Sequence, residues 1–102
     1  MEIQKLVRDK IPAIIQSQGK TPSICILSDA EYTAALEKKL DEEVAEFHKD
    51  QNLEELADIL EVVYALTENL GYSKEELQAL REKKAIERGG FRDRVFLISN
   101  DG

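Results

Sequence analysis

Two pairs of acidic residues at helical spacing constrain the fold of this chain more than any other feature. Glu43 precedes Glu46 by three residues, and Glu55 precedes Asp58 by three residues. On a helix, side chains three residues apart point to the same side. The polar run between the two pairs suits a turn. The sequence therefore predicts two antiparallel helices that bring four carboxylates to one place.

Two of these acids fall close to apolar helix faces. With about 100° between successive residues of a helix, Glu43 lies at the border of the apolar stripe that contains Leu40. By the same projection, Glu55 lies between Val62 and Leu66 on the next helix. A carboxylate on an apolar face is costly unless it is paired or binds a metal. The alternative is a solvated acidic face, which is usual for glutamate-rich helices.

The crowding of four carboxylates indicates a bound cation. Without basic partners the four groups repel each other, and this repulsion raises their pKa values. A hard divalent cation with oxygen ligands removes that cost, and Mg²⁺ is the usual cation beside phosphates. The pattern therefore predicts Mg²⁺ as the cofactor, with Mn²⁺ as a substitute.

Length and charge narrow the class of protein. The chain has 102 residues, a net charge of −7 and 42% hydrophobic residues, and is predicted to be one domain over residues 1–102. The acidic balance argues against binding to a nucleic-acid polymer or an anionic membrane. It leaves a phosphate ligand open, because a bound cation reverses the local charge. Helical chains of this size often bury apolar stripes in an oligomer, so a homodimer or homotetramer is expected.

The sequence predicts a cytoplasmic location. A single cysteine, Cys25, permits no intramolecular disulfide and fits a reducing compartment. The N-terminus is charged from the start and shows no signal peptide. No run is apolar and long enough to cross a membrane. Cys25 itself is predicted to be a small buried apolar residue.

Helix start and stop signals predict an all-α chain, an antiparallel bundle of about four helices. Ser28 and Ser73 each precede a glutamate by three residues, which is the pattern of a capping box. Asp9 can cap an earlier helix, and Pro12 is compatible with the first turn of that helix. Two strand-like runs could pair as a minimal two-stranded β element. These runs are residues 23–27 and 95–98, and the predicted helices end near Gln18, Lys49, Leu70 and Arg88.

Three segments together carry a resemblance to a known family. The acidic segments EEVAE and ELAD resemble the E-E-x-x-E … E-x-x-D pattern of the MazG-like, all-α nucleoside triphosphate pyrophosphohydrolases. KLVRDKIP near the N-terminus and ERGGF near the C-terminus are similar to the small phosphoribosyl-ATP pyrophosphohydrolase-like subgroup, so the resemblance covers nearly the whole chain. It implies an oligomeric helical bundle that uses Mg²⁺ to cleave a nucleotide between its α- and β-phosphates. It also implies four metal ligands, which are Glu43, Glu46, Glu55 and Asp58.

Hydrolysis of a polyphosphate requires charge neutralisation and a water molecule in line with the bond that breaks. A further carboxylate can accept the proton of that water. Glu42, beside Glu43, is one candidate, and its alternative role is a plain solvent-exposed side chain. Glu46 is the other candidate and could serve as both metal ligand and base.

Four basic residues are predicted to contact the phosphates of a substrate. Lys39 lies one turn before Glu43, and Arg8 lies in the N-terminal motif. Lys83 and Arg88 lie near the end of the last helix, ahead of two glycines that let the backbone approach a ligand closely. Each has a simpler alternative. Lys39 could form a surface pair with Glu43, and cations at a helix C-terminus complement its dipole.

Alternatives from other functional classes remain open at the level of sequence. Within the enzyme class, removal of surplus or non-standard nucleotides competes with hydrolysis of phosphoribosyl-ATP in histidine biosynthesis. Outside it, the chain could be a non-catalytic acidic helical adaptor, or a module that binds a nucleotide without cleaving it. Turnover and its dependence on Mg²⁺ separate these classes.

Overall fold

The chain is helical over the part that the computed structural model describes, residues 4–101. Those residues form α1 (Ile11–Ser17), α2 (Asp29–Asp50), α3 (Leu53–Asn69) and α4 (Lys74–Arg88), and no strand. The prediction of an all-α chain with about four helices is confirmed for this part. Each predicted helix end lies within one residue of the observed end.

Capping boxes start two of the helices, as predicted. At the start of α2 the Glu31 amide donates to the Ser28 hydroxyl, and the Ser28 amide donates to the Glu31 carboxylate at 3.0 Å. Ser73 and Glu76 make the same reciprocal pair at the start of α4. Because the Ser28 bonds favour its ionised form, the pKa of Glu31 lies below its ordinary value.

The predicted cap of α1 was wrong. Lys10 occupies the N-cap position, its side chain makes no capping bond, and Pro12 lies in the first turn as expected. The chain already turns before the helix, where the Ile11 amide donates to the Arg8 carbonyl at 3.0 Å. Asp9 lies inside this turn, one residue too early for its carboxylate to cap the helix.

α2 and α3 form an antiparallel hairpin around the only well-buried apolar side chains of the described residues. The turn uses Gln51 in the left-handed conformation (φ 51°, ψ 45°), and Asn52 caps α3 by accepting from the Glu55 amide at 3.0 Å. Leu36 on α2 is 2% exposed, and Val62 on α3 is 8% exposed. This hairpin fixes the relative positions of the two acidic pairs.

α4 packs against α3 and against no other helix of the described chain. The contact centres on Tyr64, whose hydroxyl accepts from the Gln78 side chain at 2.9 Å. The Lys74 ammonium lies 4.4 Å from the centre of the Tyr64 ring, a cation–π contact. Gly71, with φ at 94°, reverses the chain between the two helices.

The predicted two-stranded β element is absent from residues 4–101, where 23–27 and 95–98 have no strand conformation. Their apolar side chains are uncovered: Ile26 is 91% exposed and Phe96 is 87% exposed. A strand needs a backbone partner, and the fold does not bring these segments together. Cys25 is exposed for the same reason, so the prediction that it is buried was wrong.

The chain is much more extended than a folded domain of its length. Its radius of gyration is 18.0 Å, against about 13 Å for a compact domain of about 100 residues. Its accessible surface is 9372 Å², against about 5,800 Å² for a monomeric protein of this mass. The chain therefore leaves exposed about 3,500 Å² of surface that a compact fold would bury. No helix among the described residues has the length and apolarity to cross a membrane.

Candidate metal centre

The hairpin brings three of the four predicted ligands together. One carboxylate oxygen from each of Glu43, Glu55 and Asp58 lies within 4.8 Å of the other two. Glu43 lies deepest, with a side chain that is 12% exposed, and the Asp58 side chain is 40% exposed. The three residues come from facing turns of α2 and α3, so this cluster exists only because the hairpin closes.

Glu46, the fourth predicted ligand, lies beside this cluster rather than inside it. It forms a second group with Asp50 and Glu55, again within 4.8 Å. Glu55 therefore belongs to both groups and links them. Sequence reasoning missed Asp50, although it follows Glu46 by four residues on the same helix face.

Crowding raises the pKa of Glu55 above its ordinary value. Partial burial is the largest cause, followed by repulsion from the four neighbouring carboxylates. These neighbours are, in decreasing order of effect, Glu46, Asp50, Asp58 and Glu43. The ionisation of the group that links the two clusters is therefore opposed by its surroundings.

The cap of α3 leaves the Glu55 carboxylate free for this cluster. Asn52 and Glu55 have the spacing of a capping box, but only the bond from the Glu55 amide to the Asn52 side chain forms. In the two complete boxes of the described chain, the glutamate side chain turns back to the cap residue. The Glu55 side chain instead faces α2.

Two predicted phosphate-binding cations are paired with the carboxylates. Arg8 donates from Nη2 to Oδ1 of Asp58 at 2.6 Å. Lys39 Nζ lies 3.1 Å from Oε1 of Glu43 and 3.8 Å from Oε1 of Glu42. The first pair joins residues 50 positions apart, a contact that spacing along the chain could not predict. The second is the i, i+4 pair considered for Lys39.

Glu42, a predicted proton acceptor, lies at the rim of the cluster. Its side chain is 33% exposed, and its carboxylate lies 3.8 Å from Lys39 and 4.0 Å from Lys5. It belongs to neither group of clustered carboxylates. Two ammonium groups therefore lie within ion-pair distance of this carboxylate.

A cleft of about 300 Å³ opens beside Glu43 and Asp58. The N-terminal segment before α1 forms one side of it and the α2–α3 hairpin the other. Its charged lining consists of Arg8, Asp9, Lys39, Glu43, Asp58, Glu61 and Glu68. Tyr32 and Tyr64 add aromatic surface that no motif indicated. The cleft thus joins carboxylates, cations and aromatic rings.

Comparison with known proteins gives a partial match, and the description of the matched protein names no activity. A protein of Mycolicibacterium smegmatis, described only as an uncharacterized protein, is 64% identical over 42 residues, which is 41% of this chain and 43% of that protein. The match thus spans less than half the length of that relative. No family model and no solved structure matches the chain.

Lys83 and Arg88 lie away from the clustered carboxylates. Both are exposed on α4, and neither lines the cleft beside Glu43. Arg88 instead lines a second cleft of about 700 Å³ at the end of α4. Their predicted contact with a substrate stays a prediction.

Proposed function

We propose that this chain is a Mg²⁺-dependent nucleotide pyrophosphohydrolase, which cleaves between the α- and β-phosphates and releases a nucleoside monophosphate and pyrophosphate. The observation that supports this most is the convergence of Glu43, Glu55 and Asp58 within 4.8 Å beside a cleft. The resemblance of the acidic segments to the MazG-like enzymes supplies the reaction.

The three carboxylates fit a Mg²⁺ ion. Mg²⁺ takes oxygen ligands at about 2.0–2.1 Å in octahedral geometry, so ligand atoms lie about 3–4 Å apart around it. Carboxylate oxygens within 4.8 Å reach that spacing with small rotations of the side chains. When bound, Mg²⁺ supplies neutralisation of phosphate oxygens and a lowered pKa of a coordinated water.

Arg8 and Lys39 are the phosphate-binding residues closest to this centre. Both form ion pairs with clustered acids, Arg8 with Asp58 and Lys39 with Glu43. A carboxylate that binds a cation interacts less with its former basic partner. The guanidinium and ammonium groups are then available to phosphate oxygens in the same cleft.

Glu46 is the better candidate for the proton acceptor. Its exposed carboxylate lies next to Glu55, where it can bind a water molecule at the edge of the cluster. Glu42 instead lies between two lysines and outside both groups of clustered carboxylates. We therefore expect Glu46→Gln to reduce turnover more than Glu42→Gln does.

Turnover with a defined product pattern is the first test. Incubation with nucleoside triphosphates and Mg²⁺ should release monophosphate and pyrophosphate in equal amounts, and EDTA should stop the reaction. Canonical, deoxy and damaged nucleotides and phosphoribosyl-ATP should be compared, since the substrate within this class is open. Orthophosphate as the first product would contradict cleavage at the α–β bond. Nucleotide binding without turnover would favour the binding module.

We also infer that the working form is at least a dimer. Three leucines on one side of α3 are uncovered in the protomer: Leu53 is 79% exposed, and Leu56 and Leu60 are each 46% exposed. Their spacing of i, i+3 and i+7 places them on one helix face. The surface left over by the extended protomer is several times the roughly 800 Å² per partner of a standard interface.

Sedimentation at micromolar concentration should therefore show a dimer or a larger assembly. Leu56→Glu should weaken the assembly, because it puts a charge in the centre of this face. Ile14→Glu is the matched control, since Ile14 on α1 has a similar exposure of 48%. A wild-type chain that stays monomeric at every concentration would overturn this inference.

A further inference from the structure

Charge is distributed very unevenly along the chain. Residues 81–94 contain six basic and three acidic residues, which gives a net charge of +3. The whole chain has a net charge of −7, so the rest of the chain has a net charge of −10. We call residues 81–98, the second half of α4 and the extended segment after it, the basic arm.

The basic arm presents cations and apolar side chains on one uncovered surface. Arg81, Lys84 and Arg88 follow a spacing of i, i+3 and i+7 and line the second cleft together with Phe91. Phe91 is 99% exposed. In the described residues of the arm, the single ion pair is a weak one between neighbours, from Arg81 to Glu82 at 3.8 Å.

The cleft beside Glu43 has the opposite imbalance. Its lining contains two basic side chains, Arg8 and Lys39, against five acidic ones. Both cations are already paired with carboxylates of the cluster. When Mg²⁺ releases Arg8 and Lys39 from these pairs, the five acidic side chains still outweigh the two cations and one Mg²⁺. A polyphosphate carries several negative charges, so this cleft has too few cations to hold one.

In the conformation observed, the basic arm of a chain supplies no cation to the cleft beside Glu43 of the same chain. α4 packs on α3 near Tyr64, and no residue of the basic arm lines the cleft beside Glu43. A second copy of the chain can correct the imbalance, because each copy carries both the excess of acid and the excess of base. Such an exchange between copies is reciprocal in a twofold-symmetric dimer.

We propose that the basic arm of one copy docks over the cleft beside Glu43 of a second copy. There Arg88 contacts the phosphates of the substrate. Charge complementarity selects this partner, and Phe91 provides the apolar surface that docking covers. The substrate contact rests on the proposed function, whereas the docking does not. The arrangement makes each site incomplete without its neighbour.

A cross-linking experiment tests the docking without any turnover. In a Cys25→Ser background, a tagged chain with Phe91→Cys is mixed with an untagged chain with Asp9→Cys, allowed to exchange subunits and oxidised. Asp9 lines the cleft, so a disulfide between tagged and untagged chains is expected. The matched control is Asp41→Cys, an exposed aspartate of α2 that does not line the cleft. Equal cross-linking at positions 9 and 41 would overturn the docking.

A mixing experiment tests the contact of Arg88 with substrate. Arg88→Ala should lower kcat/KM by roughly 10- to 100-fold, as expected for loss of a bond to a charged group. Glu43→Gln should be inactive. In an exchanged one-to-one mixture, half of the dimers pair the two variants, and each has one intact site, so activity should reach about a quarter of the wild-type value.

The outcomes separate the two proposals. Activity of the mixture no greater than the sum of the separate variants would show that Arg88 does not act across the interface. A wild-type chain without turnover would refute the proposed function, and the cross-linking result would then still decide whether the arm docks.

Discussion

Glu43→Gln is expected to eliminate turnover and the stabilisation by Mg²⁺, and also to destabilise the metal-free chain. Glu43 is the deepest member of the cluster, at 12% exposure. The substitution removes one metal ligand from the centre of the site. Removal of one group that stabilises a reacting charge lowers kcat by about 100- to 1000-fold. An activity assay and thermal melts with and without Mg²⁺ measure both effects.

The metal-free destabilisation follows from the partner that the substitution leaves behind. Lys39 is 16% exposed and lies 3.1 Å from Glu43. Its second partner, Glu42, is more distant, at 3.8 Å. Leaving a mostly buried charge with a weaker partner costs about 1–3 kcal/mol, and the remaining Glu42 pair favours the lower end of that range.

Glu61→Gln is the matched control for this prediction. Glu61 lines the same cleft but belongs to neither group of clustered carboxylates. Its substitution should leave the response to Mg²⁺ unchanged and stability nearly so, because surface substitutions usually change stability by less than about 0.5 kcal/mol. Equal loss of the Mg²⁺ response in both variants would place the ion elsewhere in the cleft.

The parts of the fold that the sequence predicted well depend on local interactions. Ser28 with Glu31 and Ser73 with Glu76 each satisfy helix-end amides within four residues, so the pattern is sufficient to place the helix start. The hairpin is also local, because a short polar turn joins two amphipathic helices. The convergence of the acidic pairs follows from these local rules.

The parts that the sequence did not predict depend on distant partners. The pairing of Arg8 with Asp58 joins the N-terminal segment to α3, and nothing in either local pattern specifies it. The composition of the apolar run 95–98 favours a strand, yet pairing requires another segment within reach. Composition gives the tendency of a segment, whereas the fold or a second copy supplies its partner.

Glu55→Gln is expected to abolish turnover and yet leave the metal-free chain as stable as the wild type, or more stable. Glu55 belongs to both carboxylate groups, so its loss affects metal binding at the point where the two meet. Unlike Glu43, it has no basic partner among the ion pairs of the described residues. Removal of its charge relieves repulsion and leaves no cation unpaired.

The stability of Glu55→Gln relative to the wild type should depend on pH. Burial and four neighbouring carboxylates raise the pKa of Glu55 above its ordinary value of 4.5. The folded state therefore binds this proton more tightly than the unfolded state, and the free energy of unfolding falls as the pH rises from that ordinary value through the raised one. Glutamine does not titrate, so the relative advantage of the variant should be present at neutral pH and fade in acid.

Glu54→Gln is the matched control, because Glu54 shares the first turn of α3 and lies outside the carboxylate groups. Each substitution removes a negative charge that the N-terminus of the helix favours, so both variants lose that stabilisation alike. The difference between their melting temperatures without metal therefore reports the crowding around Glu55. Glu54→Gln should retain turnover and its response to Mg²⁺.

The wild type should gain stability from Mg²⁺ that Glu55→Gln largely lacks. An ion that binds only the native state stabilises it by about 2.7 kcal/mol at a concentration one hundred times its Kd. That gain raises the Tm of a domain of this size by roughly 10 °C or more. A Glu55→Gln variant that melts clearly below both wild type and Glu54→Gln without metal would make Glu55 a structural hydrogen-bonding residue. Full activity in the variant would show that Glu55 is not a metal ligand. The model in which Glu55 links the two carboxylate groups at the metal centre would then fail.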